Sequence, residues 1–316
     1  MSQHPAKRLP LEVEQARTFL AIVARGSFLE AAHQLNLTQS TVSARIRALE
    51  EALGVRLFQR NRAGATLTLA GRRFLPHAQR LVRVAEQAWR EVGLPSHYRT
   101  TLRVGARIAL WDGLLTAWLA RLRRLHRDVA VEAEIGFEAD LQGRLTEGSL
   151  DLAFMYSPTH TPGLVVRHLF DETLVLVSDR PRRRPGREYI HVRWGPGFEQ
   201  QEAAAFPGLE PPPRVVNVGW LAVQLMLAEG GSCYLPWRMA QPFVEAGRFY
   251  LLRQAPRLAL PAYGVYREEE GQELPGTALA VFSALLRAAG VRDGVAHRAG
   301  RSQRAGGAGY GQNRSP

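Results

Sequence analysis

Gln39, Ser40, Thr41, Ser43 and Arg45 fall within the short run QSTVSAR. These are short or planar hydrogen-bonding side chains, where an ordinary solvated helix face carries a mixture of Lys and Glu. The Gln39 amide can bond an adenine edge at two points, and the Ser43 hydroxyl can reach a base edge or a phosphate. Arg45 and Arg47 have the charge and length for phosphate or guanine. This is recognition chemistry. Bond-breaking chemistry finds no support, because GxSxG, Walker, GxGxxG-after-strand and HExxH patterns are all missing from the sequence. A lone cysteine, Cys233 in GGSCYLP, cannot form an internal disulfide and reads as inert core, with a reactive thiol as the alternative. No catalytic residue, metal or cofactor is expected.

The elements that must position these side chains are legible nearby. Ala31, Leu35, Val42, Ile46, Leu49 and Leu53 fall mostly three, four or seven apart, as two short helices sharing a core require. Ser27 with Glu30 fits a capping box and starts a helix at Phe28; Leu35-Asn36-Leu37 makes the turn; Thr38 can cap the next helix. That helix would present its N-terminal end, Thr38 through Thr41, toward a groove. Val13 to Ala24 reads as a bracing helix with Ala16, Phe19, Leu20 and Val23 inward. Glu50 and Glu51 are placed at solvent or a dimer contact, since carboxylates repel phosphates. A helix pair packed against protein is the alternative reading of the motif.

Charge is divided unevenly along the 316 residues. Residues 1–100 hold 15 Lys/Arg against 7 Asp/Glu, residues 101–290 hold 21 against 21, and residues 291–316 hold 5 against 1. A basic head on a neutral middle suggests a polyanion-binding module joined to a domain with another task. Residues 291–316 are Gly/Arg/Ser-rich without apolar periodicity and read as a disordered basic tail. No apolar run reaches the roughly 18–20 residues of a membrane helix, and the start of the sequence lacks a signal-peptide core. A cytoplasmic protein with no membrane partner is expected.

From Thr68 a long helix runs to about Gly93, with Phe74, Ala78, Leu81, Ala85, Ala88 and Val92 at heptad spacing, the seam two helices share. Dimerisation through that seam is expected; packing on its own domain is the alternative. Pro76 predicts a kink near the start of this helix. Residues 101–290 alternate between β-branched runs (TLRVGA, VAVEAEI, DLAFM, ETLVLVS, YIHVR, RVVNV, SCYLP, FYLL, AYGVYR) and helical patterns at 113–126, 137–147, 219–229, 237–246 and 277–289. Such alternation implies α/β sheets with crossover helices.

The stretch LTQSTVSARIRALEEALGVRLFQR, followed by LTLAGRRFLPHA, resembles the N-terminal signature of LysR-type transcriptional regulators, and the likeness extends to about residue 290. The resemblance implies a multidomain α and α/β chain: a winged helix-turn-helix domain (1–68), a linker and dimerisation helix (69–94) and a two-subdomain, periplasmic-binding-protein-like effector domain (95–290). Its first subdomain would be 101–176 with 262–290, its second 177–261. It also implies a wing over Val55 to Thr68, in which Arg60 and Arg62 touch phosphate or the minor groove. Where the family often has Arg after the serine matching Ser43, this chain has Ala44, and Arg45 is the candidate substitute.

The implied function is sequence-specific transcriptional regulation, with double-stranded DNA, a second copy, a tetramer and RNA polymerase as partners and a small-molecule effector in the subdomain cleft. An architectural DNA-binding protein without an effector, or a metabolite-processing enzyme, is the alternative. Topology places Arg107, Trp111, Asp112, Tyr156, Trp194, Asn217 and Val218 at cleft-facing strand ends and helix starts. WGPGFEQQEAAAF reads as a rigid turn entering a helix. Together with LWDGLLTAWLARL it is similar to the subgroup that contains an enterobacterial repressor of the flagellar master operon.

Overall fold

The computed structural model describes residues 11–61, 64–182, 184–209, 211–268 and 273–288. The chain divides into two compact units, Met1–Thr100 with Glu147–Ser149, and Thr101–Thr146 with Leu150–Pro316. Each has its own hydrophobic core. The basic tail, 291–316, lies outside the described residues.

The first unit opens with helices α1 (Val13–Arg25), α2 (Phe28–Leu35) and α3 (Gln39–Leu53). Their ends are set by local chemistry. Gly26 closes α1 at φ 67°, Asn36 closes α2 at φ 53° and Gly54 closes α3 at φ 70°, the left-handed conformation that ends a helix cleanly. Ser27 accepts the backbone N–H groups of Leu29 and Glu30; among the described residues no return bond from Glu30 completes the box. The hairpin β1 (Phe58–Asn61) and β2 (Gly64–Leu67) follows, then α4 (Leu69–Val92) capped by Thr68. Phe19 centres the core: its ring lies 5.1 Å from those of both Phe58 and Phe74. Losing such a ring costs about 3–5 kcal/mol.

The second unit is built on a seven-stranded sheet, with strands β3 (Thr100–Ala106), β4 (Val129–Ile135), β5 (Leu152–Met155), β6 (Leu164–Ser178), β9 (Ser232–Pro236), β10 (Tyr250–Leu251) and β11 (Leu258–Arg267). Its order is β10-β6-β11-β5-β3-β4, with β9 also on β6. A parallel pair, β7 (Ile190–Val192) and β8 (Arg214–Val216), stands beside β9 through a Tyr189–Ser232 bridge. Helices α5 (Ile108–Leu110), α6 (Thr116–Leu125), α7 (Glu138–Glu147), α8 (Pro196–Ala205), α9 (Gly219–Glu229), α10 (Trp237–Glu245) and α11 (Leu274–Ala288) complete it. No helix among the described residues is long and apolar enough to cross a membrane.

Three readings change. Residues 164–171 belong to β6, although Arg167, His168 and Asp171 interrupt the apolar pattern that marks a strand. Strand β11 starts at Leu258, running through Pro261, whose missing N–H normally argues against a strand interior. The helix expected from residue 113 is broken at Asp112 (ψ 102°) and Gly113 (φ 74°), and α6 starts only at Thr116.

Candidate nucleic-acid interface and effector cleft

Helix α3 buries Val42, Ile46 and Leu49 and leaves Gln39, Ser40, Ala44, Arg47 and Ala48 exposed, with Ser43 half-buried among them. Four-residue spacing makes these one face. Its two alanines keep the face low between the hydrogen-bonding side chains of Gln39, Ser43 and Arg47. Thr38 caps α3 by accepting the Thr41 N–H at 3.2 Å, and its hydroxyl shares bonds of 2.8 Å with those of Ser40 and Thr41.

Arg45 is placed differently from the rest of the predicted set. Its guanidinium donates to Glu14 Oε2 at 3.2 Å and Thr18 Oγ1 at 3.4 Å, so it braces α3 against α1. The side chain is half-buried beside the exposed Ala44. Arg60 lies on β1 opposite Ala65, and Arg62 lies outside the described residues. The hairpin is held to the helices by a bond from Ala65 N to Gly26 O at 2.8 Å. A side chain on Gly64 would strike that same carbonyl.

Glu50 is neither solvent-facing nor free. Its Oε1 accepts the backbone N–H groups of Leu57 (2.7 Å) and Phe58 (3.2 Å), tying the end of α3 to the start of the wing. These partners lie at a turn with no residue pattern of its own, so no spacing in the sequence announces the bonds.

On α4 the predicted seam splits. Phe74, Ala78 and Leu81 pack into the unit's own core beside α1, as does Val82. Ala85 is half-buried, and Ala88 and Val92 are exposed with Leu69, Val84 and Trp89, the last 86% accessible.

In the second unit, Arg107 begins α5 and is only 5% exposed. It donates to Asn217 O at 2.9 Å, pairs with Glu138 at 3.4 Å and stacks 4.5 Å from the centre of the Phe137 ring. Tyr156 and Trp194 are buried and meet edge to face at 5.9 Å. Trp194 donates to Tyr234 O, and a side chain on Gly219 would strike the Trp194 ring, so this indole is a packing post for α9. Tyr156 donates to Glu172 Oε1 at 2.7 Å; burial pushes its phenol well above the usual value, with the Glu172 charge adding to the effect. Glu172 is in turn bonded by Arg238, whose guanidinium also reaches the carbonyls of Ala109 and Asp112. Val218 precedes α9 without a side-chain cap.

Of the seven expected cleft residues, Trp111 and Asp112 line a pocket of about 310 Å³ with Ile108, Ala109, Trp220 and Met239. Arg107, Tyr156, Trp194, Asn217 and Val218 do not border it. No local pattern in the sequence announces Glu172, Arg238 or Met239, whereas Trp220 lies in the helix start that opens at Asn217. Cys233 is fully buried, its thiol pushed up by burial. Among the described residues no cluster of three or more His, Cys, Asp or Glu could hold a metal.

Two family models match this chain: the bacterial regulatory helix-turn-helix protein of the lysR family over residues 13–72, and the LysR substrate binding domain over 95–290. The chain is 33% identical over 260 residues to the HTH-type transcriptional regulator HdfR of Salmonella typhimurium, covering 81% of this chain and 92% of that protein. Its fold is similar to ArgP from Mycobacterium tuberculosis (TM-score 0.59, 22% identity, 87% of this chain and 97% of that one). It is also similar to full-length CbnR in complex with its target DNA (TM-score 0.52, 22% identity, 88% and 99%).

Proposed function

The chain belongs to the LysR family of bacterial regulators, and on that premise we propose that it reads an interrupted inverted repeat in duplex DNA. It is a transcriptional regulator with a DNA-binding and an effector-binding domain, not an enzyme. The observation that carries the proposal is the outer face of α3, where Gln39, Ser43 and Arg47 stand between small alanines. Base-edge chemistry on a helix capped at its leading end suits major-groove reading. Arg60 and Arg62 of the wing would anchor the adjacent backbone. The exposed apolar face of α4 supports pairing of two copies, so that two α3 helices read two half-sites. A further doubling to a tetramer, contact with RNA polymerase and a cytoplasmic location complete the reading. A small effector in the cleft of the second unit would bias how the paired recognition helices are presented.

The test is direct. Purified full-length protein is mixed with fragmented genomic DNA, and the retained fragments are sequenced. A shared interrupted inverted repeat is expected; an even spread of fragments with no common site overturns the proposal.

A further inference from the structure

We propose that the cleft pocket bordered by Trp111, Asp112, Trp220 and Met239 takes a small organic cation, a protonated amine on an apolar or aromatic body. The inference rests on the effector reading above and names the ligand class. The pocket, about 310 Å³, is at the lower end of small-molecule sites, which run roughly 300–1,000 Å³. Ile108, Ala109 and Met239 bring apolar side chains to the lining, and Trp111 and Trp220 bring two indoles. The single charge in the lining is negative.

That charge is uncompensated. The Asp112 side chain is exposed and has no hydrogen-bond or ion-pair partner among the described residues, and it stands at the backbone break of Asp112-Gly113. The two arginines that reach this part of the cleft are already spent. Arg107 is held by Glu138 and Asn217 O, and Arg238 by Glu172 and two carbonyls. Each is matched by a carboxylate, so neither is free to receive an anion. An incoming carboxylate would face Asp112 without a counter-charge, whereas an ammonium would gain it.

The indoles favour the same sign. Trp111 is fixed by donating Nε1–H to Glu134 O at 2.8 Å. Trp220, in the first turn of α9, leaves 54% of its surface to solvent at the pocket edge. A cation over an indole is attracted by the negative face of the ring, and the Met239 thioether is a soft, polarisable neighbour. One feature opposes: the first-turn N–H groups of α9 favour an anion. The test therefore sets the two charges against each other on the same body.

Titration calorimetry of the full-length protein would use two matched pairs, tryptamine against indole-3-acetate and phenethylamine against phenylacetate. Each amine should bind at least tenfold more tightly than its carboxylate. Asp112→Asn should weaken amine binding about tenfold and bring the members of a pair together, while Trp220→Ala weakens whatever binds. Carboxylates binding as well as the amines, or amine affinity unchanged in Asp112→Asn, overturns the cation assignment. If the carboxylate binding is lost in Trp220→Ala, the cleft still stands as the effector site with the opposite ligand class. If neither pair produces heat at millimolar concentration, the proposal falls, and DNA selection by the same preparation decides the regulator reading independently.

Discussion

Arg238 on α10 and Glu172 on β6 meet through two hydrogen bonds, Nε to Oε2 at 3.0 Å and Nη2 to Oε1 at 2.7 Å. Glu172 is almost fully buried, and Tyr156 O–H supplies its third bond. Removing the arginine leaves a buried carboxylate with one neutral donor. Arg238→Met should cost about 3 kcal/mol, read as a lower denaturation midpoint. The double change Arg238→Met with Glu172→Leu should recover most of it. Equal losses in the single and double variants would contradict the pairing.

Glu50 anchors the wing through two backbone N–H groups. Glu50→Ala strands both donors and should cost about 1–3 kcal/mol, while weakening binding to all DNA sequences by loosening the wing. Glu50→Gln keeps an acceptor oxygen and should retain most of both. Electrophoretic mobility shifts with specific and random DNA, beside thermal melts, separate the two effects.

On the recognition helix, Gln39→Ala and Ser43→Ala should each lose about 1–3 kcal/mol of discrimination between target and random duplex. Arg60→Ala should weaken both alike and lower the salt slope by about one. Arg45→Ala should leave discrimination in place, because its guanidinium is turned to Glu14 and Thr18. Competition binding at several salt concentrations reads all four.

The α4 face gives a prediction about assembly. Val84→Glu with Trp89→Glu alters only exposed positions and should yield folded monomers with weak DNA binding. Leu81→Glu instead places a carboxylate against the unit's own core and should unfold it. Sedimentation with circular dichroism distinguishes the two; a stable dimer from the double variant would rule this face out.

His191 pairs with the buried Glu202 at 2.8 Å, and this bond raises the imidazole above its usual value. A histidine raised on folding binds its proton more tightly in the native state. Its stabilisation is therefore complete below the ordinary histidine range and fades as pH rises through the raised value. Thermal midpoints should fall from mildly acidic to mildly alkaline pH, and His191→Gln should flatten that part of the profile. An unchanged slope would assign it to other groups.

What could be read from the sequence was what neighbours in the chain decide. Ser27, Thr38 and Asn36 each act within a turn of themselves, so the starts of α2 and α3 and the end of α2 are legible, as are the apolar strands of the second unit. Spacing alone could not say whose surface covers a helix. Phe74, Ala78 and Leu81 repeat as a dimer seam would, yet α1 of the same chain takes them. Arg45 fits DNA by its type, and its bonds to Glu14 and Thr18 on α1 lie beyond any local spacing. The Arg238–Glu172 pair joins residues 66 apart, and no local pattern announces it. The first half of β6 was hidden by Arg167, His168 and Asp171, since a strand covered on one side carries charge on the other.

Strands β6 and β11 have only each other at one point. Phe170, Asp171 and Glu172 pair with Ala262, Pro261 and Leu260, whereas β9 joins β6 from Leu174 onward and β5 joins β11 from Tyr263 onward. Just beside this neck the Gln201 side chain bonds both backbone groups of Ala259. A two-stranded ribbon resists stretching and yields to twist. Among the described residues the sheet is two strands wide at this neck, and side chains rather than further strands brace it. Glu172 sits in this neck, so Arg238, bonded to it and to the carbonyls of Ala109 and Asp112, ties the ribbon to α10 and to the segment around α5.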